Sequence, residues 1–371
     1  MTKPAHIAAG RLLRSLISIS VCIALGSAAA GADVDLSGKR IQLIVPVAPG
    51  ASADLSARFV APLLAERLPG KPTIIIRNVA GAGSIAGSNE FQNRAKPDGT
   101  DLILQTPSAM LNFVFHDPRV HYKLNEWIPV AGMSQGMIVY SNASLGIKDG
   151  AGLAGLGDKQ VVMAANSATG IDLGVLLPLD LLGVAVKPVF GMNRGEVYPG
   201  FQRGEFNLSF DAYAAYKQEI LPLVEAGTAV PLFSLGYTDA SGAVGRDPTV
   251  PDLPHFLELY EKIKGQPLAG PERQAWDAVY NLNVMSTRAI LLPAGTPQDV
   301  VDTYTKAVDR LVADIEKDPA LREKAANFIG PQPMTTSEAA QRNMKSAVDF
   351  SPEGYAWLKD WLKRRYDVNV Q

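Results

Sequence analysis

Cysteine is all but missing from this 371-residue sequence: Cys22 is the only one, and it lies in an apolar stretch near the N-terminus. Beyond it there is no thiol, which excludes disulfides, cysteine metal sites and a cysteine nucleophile. Histidine is scarce too. His6 shares the N-terminal segment, while His116, His121 and His255 sit among proline, aspartate or aromatic residues that read as loops. "HDPRVH" spaces two of them by five, which puts them on no common face of a helix or strand, and no H-E-x-x-H occurs. No carboxylate pair stands out from the surrounding charge, so no residue is assigned to catalysis or to a metal. Neither sign of charge is in excess: 35 Lys and Arg face 37 Asp and Glu, which gives no global bias toward nucleic acid.

What is present is the composition of a soluble α/β protein, 47% hydrophobic and 19% charged, with length enough for two domains. Residues 1–32 read differently. Lys3, Arg11 and Arg14 precede the apolar core "LISISVCIALG", and "SAAAGAD" follows. A basic region, a short apolar core and small residues are the parts of a secretory signal peptide, with cleavage expected after Ala30 or Ala32. The competing membrane anchor would need about 20 apolar residues, and this core has eleven. Val21 precedes Cys22 where a lipoprotein signal wants a small residue. Without the three basic residues, 32 cations face 37 acids, a formal charge of −5. A soluble exported protein is expected.

One arrangement then occurs three times. "RIQLIVPV" (40–47) reads as a strand, "APGAS" as a loop, and "DLSARFVAPLLAERL" (54–68) as a helix with Leu55, Phe59, Leu63 and Leu64 at helical spacing. "KPTIIIRNV" (71–79), "AGAGS" (80–84) and "IAGSNEFQNRA" (85–95) repeat it. So do "KQVVMAA" (159–165), "NSATG" (166–170) and "IDLGVLLPLDLLG" (171–183), where Pro178 is expected to shorten or kink the helix. Small residues let a ligand approach the backbone, and the first turn of a helix offers unpaired N–H donors at its positive end. Such junctions hold a carboxylate or phosphate without Lys or Arg; taken singly they are ordinary tight turns. Gly81, Gly83 and Gly87 nearly spell a dinucleotide fingerprint, but that site needs an acid at the end of the next strand. In "DLILQT" (101–106) the acid is at the start.

The segments "LIVPVAPGASADLSAR", "NVAGAGSIAGS" and "AKPDGTDLIL" resemble, in order and spacing, the signatures of the substrate-binding proteins of tripartite tricarboxylate transporters, the Bug family. "LLPAGTPQDVVDTYTKAVDRLVADIEKDPALREKAANFIGPQPM" resembles that family's closing helical region. The chain departs from the pattern at Ala51 and Ser84, where the family has glycines, at Ala80 for a proline and at Thr100 for a tyrosine. The resemblance implies a periplasmic binding protein fold of type II, two lobes each made of a sheet flanked by helices, with the ligand cleft between them. Lobe one would comprise 33–139 and 286–371, and lobe two 140–285, with strand-like crossovers near 136–142 and 283–293.

That fold would turn the small-residue loops toward a small organic carboxylate, a di- or tricarboxylate or an aromatic acid. From lobe one the candidates are Pro49, Gly50, Ala51, Ser52 and Asp54, then Ala82, Gly83 and Ser84, with Thr106 and Ser108. From lobe two they are Asn166, Ser167 and Thr169. Asp54 has two open readings, a polar acceptor for the ligand or a helix-capping acid paired with Arg58. Arg194 is a candidate for a distal carboxylate or a solvated loop residue; Asp211 is a ligand contact or a cap for "AYAAYKQEI". Ser84→Trp is expected to block the pocket without unfolding the chain. The expected protein is a monomeric receptor in the periplasm that needs no cofactor and passes its ligand to the permease subunits of a tripartite tricarboxylate-type transporter. An exported hydrolase and a periplasmic sensor for a membrane kinase are the competing functions.

Overall fold

The computed structural model describes residues 33–370 apart from 193, 239–242, 331–333 and 349; the expected signal peptide lies outside the described residues. The strands in chain order are β1 (Arg40–Val45), β2 (Thr73–Asn78), β3 (Asp101–Gln105), β4 (Ile128–Met133), β5 (Met137–Asn142), β6 (Val161–Ala164), β7 (Val186–Val189), β8 (Leu208–Ala212), β9 (Ala229–Ser234), β10 (Tyr237–Thr238), β11 (Val244–Gly245) and β12 (Arg288–Leu292). Apart from the short β10–β11 ribbon, they form two five-stranded sheets, ordered β2-β1-β3-β12-β4 and β7-β6-β8-β5-β9.

The sheets share one plan. Three strands run parallel at one side, β2-β1-β3 and β7-β6-β8, and the fourth position is filled by an antiparallel strand, β12 or β5. In the first sheet that strand comes from far along the chain; in the second it is the first strand. The chain therefore passes between the sheets at 134–136, after β4, and again before β12.

The inner parallel strands β3 and β8 are buried on both faces, as helix-covered parallel sheets require, whereas the edge strands β2 and β7 are half-buried to exposed. Ile41, Leu43 and Val45 pack with Leu102 and Leu104 of β3 and Ile290 and Leu292 of β12, while Ile44, Ile103 and Leu291 join a second cluster. The first cluster is closed by Val60 and Leu64 of α1 (Ser52–Ala65) and by Tyr304, Val308 and Leu311 of the helix Gln298–Lys317.

Three elements differ from the sequence expectation. Pro178 neither shortens nor ends its helix, which runs Leu173–Leu182 and is apolar and buried nearly all round. Residues 283–285 are not strand: they extend the preceding helix as a π turn, closed by Ser286 N–H to Asn281 O at 2.8 Å. The Thr287 hydroxyl donates back toward Val284 O at 2.6 Å, so the strand begins only at Arg288. Asp211 lies inside β8, and the helical turn that follows is capped by Ala212 without a side-chain bond.

Candidate functional site

The loop after β1 starts where Pro46 interrupts the ladder, since proline has no N–H to donate. Pro49 and Gly50 are exposed, and Ala51 and Ser52 are half-buried at the start of α1. Gly50 turns the chain with φ +82°, and its N–H donates to Asp54 Oδ2 at 2.9 Å. Asp54 is 1% exposed. It also accepts from Arg58 Nε and from Asn78 Nδ2, both at 2.9 Å. Burial pushes its pKa up, but the hydrogen bonds from Arg58, Gly50 and Asn78 outweigh burial and hold it below the usual carboxylate range. The pairing with Arg58 is thus realised, but the helix cap is not, since Ala51 stands at the N-cap of α1 without a side-chain bond; the carboxylate is turned inward and ties this loop to the end of β2. The donors left for a ligand are the first-turn amides of α1, which have no acceptor within the helix.

The loop after β2 is built by left-handed backbone. Gly81, Ala82, Gly83 and Ser84 have φ of +140°, +48°, +61° and +72°. A turn of this kind leaves backbone N–H groups outside any strand or helix ladder, the chemistry that backbone anion sites use. Ala82 is exposed, whereas Ser84 is buried and its Oγ accepts from Thr106 Oγ1 at 2.9 Å. Asn112 Nδ2 donates to Gly83 O at 2.8 Å. Behind the loop, α2 (Ile85–Arg94) packs so closely on the first loop that a Cβ on Gly87 would lie 2.8 Å from both Pro46 Cβ and Val79 O. Gly87→Ala is therefore expected to cost about 1–3 kcal/mol in urea unfolding and to weaken ligand binding by displacing both loops.

The loop after β6 completes the site from the second sheet. The N–H of Ile171 donates to Ser108 Oγ at 3.2 Å, and Ser108 belongs to α3 (Pro107–Val114), which follows β3 in the first sheet. A Cβ on Gly83 would lie 3.7 Å from Asn166 Oδ1, and one on Gly170 would lie 3.3 Å from Ser108 Oγ. Gly83 is thereby brought near Asn166, and Ser108 near Ile171 and Gly170; Ser84 and Thr106 are bonded to each other, and Thr169 is half-buried in the same turn as Asn166.

Arg194 begins α5, which in chain order follows α4 (Leu173–Leu182) and spans Arg194–Gln202, and its side chain is outside the described set. Asp211 is buried, and its oxygens accept from the Tyr140 hydroxyl at 2.7 Å and the Tyr198 hydroxyl at 2.9 Å.

Several residues escaped the sequence reading. Asp172 is 2% exposed, and its Oδ2 accepts from the N–H groups of Asn166 and Ser167 at 2.9 and 3.2 Å. An internal carboxylate thus occupies two of that loop's amides, as Asp54 occupies Gly50's. Gln135 and Arg288, both buried, touch Ser52 from behind. A G-x-S-x-G string lies at 132–136, although no nucleophile elbow is expected from the sequence. It is no nucleophile elbow, which needs a strand-to-helix turn: it joins β4 to β5, and the Ser134 hydroxyl donates to Met285 O at 2.8 Å. Among the described residues no group of three or more His, Cys, Asp or Glu could hold a metal, and no helix is long and apolar enough to cross a membrane.

No protein-family model matches the chain. Over 123 residues, 32% of its length, it is 37% identical to Protein BugT of Bordetella pertussis, and that match spans 37% of the relative. Its fold is that of periplasmic binding proteins. The structure of periplasmic binding protein BugD shares it with a TM-score of 0.64 at 18% identity, covering 90% of this chain and 99% of that one. An R. palustris protein solved with adipate shares it at 0.66 and 19% identity, again covering 90% and 99%. The resemblance read from the loop motifs is borne out in both comparisons.

Proposed function

We propose that the chain is a periplasmic solute-binding protein of the Bug type that captures a small organic carboxylate between two lobes and delivers it to a tripartite tricarboxylate-type permease. The proposed lobes are built one around each sheet, the first from 33–136 with 286–371 and the second from 137–285; the first boundary falls three residues before the expected 139 because β5 opens at Met137 in the second sheet. The observation that carries this reading is the meeting of small-residue loops from both sheets, joined at Ser108 and Ile171. A ligand held there contacts both lobes at once only in the closed state, so binding shifts the population toward closure. Aliphatic dicarboxylates are the first ligands to test, because a structural neighbour was solved with adipate. The backbone donors of the first two loops suit a carboxylate, and the name of one structural neighbour, periplasmic binding protein BugD, supports binding rather than turnover.

A thermal-shift screen against di- and tricarboxylates, aromatic acids and acidic amino acids tests the reading. A ligand at 100 times its dissociation constant adds about 2.7 kcal/mol, and it should be recovered unchanged after hours with the protein. A compound converted to product would instead reopen the hydrolase reading.

A further inference from the structure

Arg288, the first residue of β12, is 4% exposed. Its Nη1 donates to Ser56 Oγ at 3.0 Å and its Nη2 to Ser52 Oγ at 2.9 Å. Both acceptors are neutral, and no carboxylate among the described residues forms an ion pair with it. The two serines spend their own protons elsewhere: Ser56 donates to Phe328 O at 2.7 Å, and Ser52 to Gln135 Oε1 at 3.3 Å. Their lone pairs are thus turned toward the guanidinium.

A buried cation with only hydroxyl partners is costly, and placing it behind the positive end of a helix adds to the cost. Burial pushes the Arg288 pKa down to about 9, with no neighbouring charge to hold it up. The nearest acid of the loop, Asp54, is committed to Arg58, Asn78 and Gly50. Ser52, which takes the guanidinium's hydrogen bond, also opens α1, whose first-turn amides have no acceptor within the helix.

We propose that Arg288 is the counter-charge of the ligand's carboxylate, a positioning residue that acts through Ser52 and makes the site select anions over neutral molecules of the same shape. This rests on the binding reading above and names the residue behind its selectivity. Asp54 fixes the loop; Arg288 sets its charge.

The test compares wild type with Arg288→Lys, Arg288→Met and Arg288→Gln, titrated with adipate and with its neutral dimethyl ester. Arg288→Lys should bind adipate within about threefold of wild type, while the Met and Gln variants lose about tenfold or more. The ester, weakly bound throughout, should not distinguish them. Gln keeps a donor for the serines, so it separates charge from hydrogen bonding and stands in if Met disturbs the fold. Removing an unpaired buried charge should leave the melting temperature unchanged or raised.

A second arm needs no tight ligand: sodium acetate, against sodium chloride at equal ionic strength, should raise the wild-type melting temperature by about 2 °C or more above its effect on the neutral variants. Equal adipate affinity in folded neutral variants, or an equal acetate effect, would overturn the proposal. If wild type ignores adipate but the acetate difference persists, the ligand assignment falls and the role of Arg288 stands.

Discussion

Asp54→Ala should destabilise the protein by about 2–4 kcal/mol and abolish tight ligand binding, although the residue need never touch the ligand. Removing its carboxylate leaves Gly50 N–H, Asn78 Nδ2 and the Arg58 guanidinium without their shared acceptor. The Arg58 side chain is 52% exposed, so that partner re-solvates cheaply; the cost comes from the loop amide and Asn78. With those released, the first loop is left with the bond from Asn78 Nδ2 to Val47 O as its side-chain tie to β2, and α1 loses the fixed presentation of its first turn.

The same bonds set a pH signature. Because the folded pKa of Asp54 lies below its unfolded value near 4, its stabilisation is fully present above about pH 4 and is lost as the pH falls through the folded value. Urea unfolding of wild type and Asp54→Ala should therefore differ most at neutral pH and converge in acid. Wild-type stability in the variant at pH 7 would sink this view of the loop.

An effect on binding without a loss of stability is expected from Ala82→Trp. Ala82 is exposed at the turn of the second loop and already carries a Cβ at φ +48°, so extra bulk adds little new backbone strain. An indole there covers the mouth of the site: affinity should fall about 100-fold or more, with the melting temperature within a few degrees of wild type. Ser84→Trp, the substitution that the sequence suggests, does not test the pocket cleanly. Ser84 is 4% exposed, left-handed and bonded to Thr106, so an indole would disrupt the fold itself. Undiminished affinity in Ala82→Trp would remove the second loop from the site.

These two variants also mark what the sequence could reveal. The three strand–loop–helix units were legible because apolar patterning changes period across a run of small residues, and β1, β2 and β6 fall where that change predicts. The partners of the loop amides were not. Whether Asp54 reaches back to Gly50, or Asp172 to Asn166 and Ser167, depends on turns that a linear pattern does not encode. The left-handed run at 82–84 was hidden because alanine and serine rarely take that conformation.

Arg288 was invisible for another reason. It opens an apolar strand, "RAILL", whose first residue could as well face water, and only the second crossing between the sheets buries it behind Ser52. Asp211 lies inside β8 and not just after it, because the strand runs two residues further than the pattern implied; this removes its capping role and gives it the hydroxyls of Tyr140 and Tyr198.

The most direct test of the account is a crystal structure of the protein with the best carboxylate from the thermal screen. A carboxylate oxygen should lie about 3 Å from at least two backbone N–H groups among residues 51–54 and 81–84, with contacts from 166–170 closing the other side. A ligand found instead in the cavity of about 440 Å3 lined by His255, Glu258 and Arg273, or held by side-chain cations alone, would contradict it.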